Sequence, residues 1–244
     1  SDFTSGSTGI PINGLIWMGT KESMLQQVEE KLAAGFTCLK LKIGAINFES
    51  ELDILRSIRK RFPVEQLEIR VDANGAFPAE TALSVLGKLA TFQLHSIEQP
   101  IKAGQNSEMH KLCAESPLPI ALDEELTGIS NLTEKEKLLD EIRPQYIILK
   151  PTLVGGIKAS EEWISLAEER GIGWWVTSAL ESNIGLNAIA QWTATLGTSN
   201  FQGLGTGALF TNNIESPLYV SEGYIRYNPD KNWDLESLTE RWEK

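Results

Sequence analysis

Histidine and cysteine are nearly missing from this chain, with two of each in 244 residues. Cys38 and Cys113 show no metal-ligand spacing and build no disulfide framework. A thiolate metal site and a disulfide-stapled fold are therefore excluded, and a reducing compartment is expected. His95 and His110 are expected to be structural, which leaves little room for histidine-based catalysis. Long apolar runs are missing too. None approaches the roughly 18–20 residues of a helical membrane span, and the N-terminus has no signal-peptide pattern. Basic charge is in deficit: the net charge is −11 and the pI about 4.8. That argues against nucleic acid or an anionic membrane as a partner. A cytoplasmic enzyme acting on a small molecule is expected. No Met precedes Ser1, and an upstream segment that was removed or is not shown is expected.

What is present is ordinary globular composition, 41% hydrophobic and 23% charged, with enough length for one large core. Residues 1–11 are rich in Gly, Ser and Thr and read as a loop or linker. Strands are predicted at 12–18, 36–43, 67–72, 94–98, 119–123, 145–150, 172–178 and 201–205. Between them, helices are predicted at 20–35, 47–62, 79–91, 106–114, 131–141, 156–169 and 183–196. Strict β/α alternation with short turns means parallel strands with right-handed crossovers. The expected fold is therefore α/β, a TIM-type (β/α)7β barrel over 12–210. A doubly wound sheet is the alternative, but the Gly-rich phosphate fingerprint is missing after the first strand. Residues 211–244 break the alternation and read as an appendage packing back on the barrel, ending in a charged helix-like stretch.

The chemistry concentrates at strand C-termini. In the second strand Leu39-Lys40-Leu41-Lys42-Ile43 places two lysines on one face. The third ends at Asp72, the fourth at Glu98 and the fifth at Asp123, spaced 26 and 25 residues apart, one βα unit each time. Three carboxylates at one level repel unless a cation joins them, and hard oxygen donors suit Mg²⁺ best, with Mn²⁺ as substitute. Lys42 and Lys150 flank the acids. A cation between two amines is an arrangement for removing a proton α to a carboxylate. Singly, each residue has a plainer reading: the lysines as a wet strand face, the acids as caps or turns. Asn74 reads as a turn residue or a partner of Asp72, and Glu124 as a cap or a group orienting its neighbours.

The motifs Lys40-x-Lys42, Val71-Asp72-Ala73-Asn74, Ile97-Glu98-Gln99-Pro100, Leu122-Asp123-Glu124 and Leu149-Lys150-Pro151 resemble, in order, those of the enolase superfamily in its muconate-cycloisomerase-like branch. A lysine base paired with Mg²⁺ is that superfamily's established chemistry and enters here as such. Within the branch, Thr177-Ser178-Ala179-Leu180-Glu181-Ser182 and Gly203-Leu204-Gly205-Thr206-Gly207 look most like the o-succinylbenzoate synthase family of menaquinone biosynthesis. The Asp-x-Asp typical of dipeptide epimerases at the eighth strand is missing. The resemblance implies syn-dehydration of 2-succinyl-6-hydroxy-2,4-cyclohexadiene-1-carboxylate through an enediolate. Lys42 would be the base, Lys150 would face it and Lys40 would support Lys42 and contact the carboxylate. Asp72, Glu98 and Asp123 would hold the metal, with Ser178, Glu181, Ser182, Gly205 and Gly207 cradling the succinyl group. These last five also read simply as a helix cap and a turn. The same two-lysine site would serve an N-acylamino-acid racemase or dipeptide epimerase. The superfamily's N-terminal α+β capping domain is expected to be absent from this chain, since nothing before Ile12 could form it.

Overall fold

A curled sheet of seven parallel strands organises the computed structural model, which describes residues 1–234. The strands pair in chain order: β2 (Gly14–Ile16), β3 (Cys38–Lys42), β4 (Glu68–Asp72), β5 (Ser96–Glu98), β6 (Ile120–Leu122), β7 (Tyr146–Leu149) and β8 (Gly173–Val176). Between them run α1 (Lys21–Ala33), α2 (Phe48–Arg61), α3 (Ala79–Ala90), α4 (Asn106–Glu115), α5 (Leu132–Ile142) and α7 (Ile157–Glu169), and α8 (Asn183–Thr195) follows β8. Local chemistry sets the helix starts. Thr20 accepts from Ser23 N, Asn47 from Glu49 N and Ser50 N, and Asn131 from Thr133 N, each supplying an acceptor to otherwise orphaned amides. Pro151 opens a further one-turn helix, α6 (Pro151–Val154), directly after Lys150. Its preset φ suits the first helical position, and the alternation pattern did not predict it.

The predicted eighth strand, 201–205, is not a ladder. It forms single parallel bridges, Gln202 to Ile12 at one edge of the sheet and Gly203 to Thr177 at the other. Backbone bonds flank each bridge, from Gln202 N to Pro11 O and Asn13 N to Gln202 O at one edge and from Gly203 N to Val176 O and Ser178 N to Gly203 O at the other, and side chains reinforce them. Gln202 Oε1 accepts from Val176 N at 2.7 Å, and Thr177 Oγ1 donates to Gly203 O at 2.9 Å. The two edges of the curled sheet are thus joined through Gln202 and Gly203.

A second sheet ties the ends of the described chain together. β1 (Ile10–Pro11), β10 (Tyr224–Tyr227) and β9 (Leu218–Ser221) pair antiparallel in the order β1-β10-β9. Glu222 and Gly223, with φ of +52° and +75°, make the two-residue turn between β9 and β10, the geometry that matches strand twist. Residues 1–11, read as a loop or linker, therefore carry a strand, and Phe3 is buried against Tyr227. The hairpin falls within 211–244, the segment read as an appendage, whose charged end at 235–244 lies outside the described residues. Among the described residues no helix is long and apolar enough to cross a membrane.

The main core lies between sheet and helices, and Leu39 and Leu41 belong to it. Alternation sends Lys40 to the inner face, where Ala121, Ile148 and Trp175 form a small separate apolar cluster. Arg70 lies 4.3 Å over the Trp175 ring and donates to Glu68 and to Phe201 O.

Candidate active site

Register and alternation bring the charged side chains to one face of the sheet. Lys42 pairs with Asp72 and Asp72 with Glu98 on consecutive strands, and Glu98 pairs with Ala121, two residues before Asp123. Because side chains two apart share a face, Asp123 joins the same row. Lys40 is 8% exposed and Asp72, Glu98 and Asp123 are buried still deeper. Lys40 Nζ lies 2.9 Å from Asp72 Oδ2 and also contacts Glu98 Oε2. Lys42 Nζ donates to Asp72 Oδ2 at 2.6 Å and to Asn74 Oδ1 at 2.7 Å. Lys150 Nζ is paired with Asp123 Oδ2. Asn74, at φ +43°, turns back to take Asp72 Oδ1 with its own N–H and reaches Glu124 Oε1 at 2.9 Å.

The electrostatics of this row are divided. Burial works against the charged form of Asp72, but Lys40 and Lys42 hold its carboxyl well below the usual range. Burial, Asp72 and Asp123 instead push Glu98 well up, with Lys40 and Lys150 opposing. Burial also disfavours the Lys40 and Lys150 ammonium groups, yet neighbouring acids raise both: Asp72 and Glu98 for Lys40, Asp123 and Glu98 for Lys150. Glu124 is raised by burial and by Asp123. Glu98 Oε1 and Glu124 Oε2 are buried without a hydrogen-bond partner.

As they stand, no three acid, histidine or cysteine side chains among the described residues are gathered closely enough to hold an ion; lysine ammonium groups lie against the oxygens instead. The donor set nevertheless suits a hard divalent cation. It offers three carboxylates on one face of neighbouring strands, one carrying an orphaned oxygen and left under-neutralised by its neighbours.

In front of this row opens a cavity of about 230 Å³, lined by Lys40, Lys42 and Lys150. Beside Lys40 and Lys42, on the neighbouring β2 segment, stand Asn13, Leu15 and Trp17, with Thr177, Ser178, Gly205 and Thr206 at the seam. Leu153 and Leu180 edge the cavity, 44% and 42% exposed.

Residues 23–231 match the family described as enolase C-terminal domain-like. This chain belongs to that family. The enolase-like chain is 59% identical over 225 residues to the o-succinylbenzoate synthase of Desulfotalea psychrophila, covering 92% of itself and 61% of that relative. It therefore spans about three fifths of that relative's length. The crystal structure of MenC from the same organism superposes with a TM-score of 0.87 at 57% identity, covering 93% of this chain and 62% of the other. The N-succinylamino acid racemase of Thermus thermophilus is 33% identical over 165 residues, 67% of this chain and 42% of that one. The superfamily is metal-dependent, generally on Mg²⁺.

In this enolase-like fold the sequence-derived residues divide. Lys40, Lys42, Lys150, Ser178 and Gly205 share the cavity wall, with Asp72, Glu98, Asp123, Asn74 and Glu124 linked to it through the ion pairs and hydrogen bonds above. Glu181, Ser182 and Gly207 do not line it. The Glu181 carboxylate binds Thr152 Oγ1 and Ala179 N, tying the β8 loop to α6. Ser182 precedes α8 without capping it through its side chain. Gly207 borders a separate cavity with Asn183, Leu186 and Leu218, and its carbonyl accepts from Asn213. Asn13, Leu15 and Trp17 are cavity residues that sequence reading missed. Their signal was present: positions 13, 15 and 17 alternate as 40 and 42 do, and Leu15 pairs with Lys40.

Proposed function

We propose that this chain carries the catalytic (β/α)7β barrel, residues 12–210, of an o-succinylbenzoate synthase, a carbon–oxygen lyase of menaquinone biosynthesis. The α+β capping domain lies outside this chain in that reading, and the site is cytoplasmic. The observation that carries it is the placement of Lys42 and Lys150 in one cavity, on strands either side of a row of three carboxylates. The 59% identity to a synthase supports it.

Asp72, Glu98 and Asp123 would hold Mg²⁺, with Mn²⁺ as substitute, supplying positive charge to the substrate's ring carboxylate. Lys42 takes the proton from the carbon bearing that carboxylate. Negative charge moves onto the carboxylate oxygens as an enediolate, which the Lys150 ammonium steadies from the other side. Lys42 then returns its proton to the C6 hydroxyl, which leaves as water while the ring becomes aromatic. Asn74 and Asp72 orient Lys42 Nζ throughout.

The test is the ultraviolet change as 2-succinyl-6-hydroxy-2,4-cyclohexadiene-1-carboxylate is consumed by the full polypeptide with Mg²⁺. Turnover that is lost on chelation and in Lys150→Ala is expected. No turnover with metal still bound would sink the assignment. A second reading, N-acylamino-acid racemase or dipeptide epimerase, is favoured by the same pair of opposed lysines and by the likeness to a named racemase. Exchange of an N-succinylamino acid's α-hydrogen in deuterated solvent would reveal it.

A further inference from the structure

Most polar side chains at the seam of the cavity are already engaged. Ser178 Oγ accepts from Leu180 N at 2.9 Å and shares a 2.6 Å bond with Thr206 Oγ1, so this pair has one hydroxyl hydrogen left to offer. The Thr177 hydroxyl is given to Gly203 O. The wall formed by the β2 segment differs. Asn13 is 5% exposed, and its Oδ1 is buried with no hydrogen-bond partner. Trp17 Nε1 is also buried and unpartnered. Unpaired buried polar atoms are costly, and native structures keep few of them.

The backbone of each residue is held in place. Gln27 clamps Trp17 through both backbone groups, accepting from its N–H at 2.8 Å and donating to its carbonyl at 3.2 Å. The indole ring lies 5.9 Å from Lys42 Nζ. Asn13 N donates to Gln202 O at 3.0 Å, fixing the start of the strand. One acceptor and one donor thus stand unspent on the wall away from the acids.

We propose that Asn13 and Trp17 are substrate-binding residues that read the two polar features of the substrate beyond its ring carboxylate, an inference that rests on the synthase reading above. As a dianion the cyclohexadiene substrate has a single hydrogen-bond donor, its C6 hydroxyl, and only that group can satisfy Asn13 Oδ1 directly. Its succinyl arm carries only acceptors, the ketone and the carboxylate, and Trp17 Nε1 donates to one of them. The aromatic product keeps the arm and lacks the hydroxyl.

Asn13→Ala and Trp17→Phe separate these roles on the full polypeptide with Mg²⁺. Asn13→Ala raises the substrate KM about tenfold, the loss of one hydrogen bond, and leaves inhibition by o-succinylbenzoate as in wild type. Trp17→Phe keeps the ring but loses the N–H, and weakens substrate and product alike by about tenfold. Wild-type turnover with both variants matching it overturns the proposal alone, as does Asn13→Ala weakening product as much as substrate. A wild-type protein that binds Mn²⁺ but does not turn over overturns the synthase reading, and this proposal with it.

Discussion

Lys42 donates to Asp72 Oδ2 at 2.6 Å, so the proposed base is held by the first of the proposed metal ligands. Lys42 and a metal held by Asp72 would therefore draw on the same carboxylate, and removing the lysine is expected to have opposite effects on turnover and on metal binding. Lys42→Ala is expected to cut turnover by roughly 10²–10⁴-fold, the usual share of a general base. It is expected to leave Mn²⁺ binding, followed by titration calorimetry, as tight as wild type or tighter. Weaker metal binding in the variant would mean that Lys42 supports the site instead of acting in it.

The row of carboxylates also predicts linkage between metal and stability. Burial and two neighbouring acids destabilise charged Glu98, and a bound cation relieves them. At a hundredfold excess over Kd such a ligand stabilises by about 2.7 kcal/mol, which for a chain of this size raises Tm by roughly 5–10 °C. Calorimetric scans with Mg²⁺ and with chelator are expected to differ by that amount in wild type and to coincide in Asp123→Asn.

Much of this was legible in sequence because strand alternation and βα spacing are both periodic. Lys40, Lys42, Asp72, Glu98 and Asp123 follow from a period of two along a strand and one βα unit between strands. The seam at Gln202 and Gly203 was less legible, since it is one bridge to each edge, too short for a period, and the side-chain bonds from Gln202 and Thr177 that reinforce it leave no periodic sign. Glu181 was misleading for a different reason. It sits in the right loop, but its carboxylate is spent on Thr152 and Ala179, which no local pattern reveals.

Asn74 links Lys42 to Glu124 and sits at φ +43°. Two losses can be separated there. Asn74→Ala removes the hydrogen bonds and strains the left-handed backbone, whereas Asn74→Gly removes only the bonds. Both variants are expected to lose kcat about tenfold, the equivalent of about one such bond. The Gly variant is expected to melt higher than the Ala variant. Equal kcat for Asn74→Gly and wild type would show that Lys42 needs no orienting partner at this position.

His95 lies against the Tyr146 and Trp175 rings, with Nδ1 2.9 Å from Ser96 Oγ. Burial, and then Arg70, lower its pKa, with Glu68 opposing. A histidine whose folded pKa is depressed resists protonation in the native state. Its stabilising contribution is present above the unfolded value of about 6.5 and is lost as pH falls through the folded one. His95→Asn is therefore expected to show a smaller fall in Tm between pH 7.5 and 5.5 than wild type, measured side by side so that shared carboxylate effects cancel. An identical fall would remove His95 from the acid response.

Gly203 joins the two edges of the sheet, and its lack of a side chain makes that possible. A Cβ there would stand 2.1 Å from Thr177 Oγ1, 2.6 Å from Thr177 Cβ and 3.3 Å from Thr177 Cα. A change of rotamer can move Oγ1 but not the 2.6 Å contact with Cβ, because Cβ does not move with χ1. Gly203→Ala must therefore push the seam apart or displace Thr177, whose hydroxyl bonds Gly203 O at 2.9 Å. Overpacking of this kind costs about 1–3 kcal/mol. Adding Thr177→Gly removes both clashing atoms, so the double variant is expected to recover part of the lost Tm even though Thr177→Gly alone is destabilising. Because Gly203 and Thr177 also line the cavity, the single Gly203→Ala variant is expected to raise KM as well. Additive losses in the double variant would mean that the two residues do not meet at the seam.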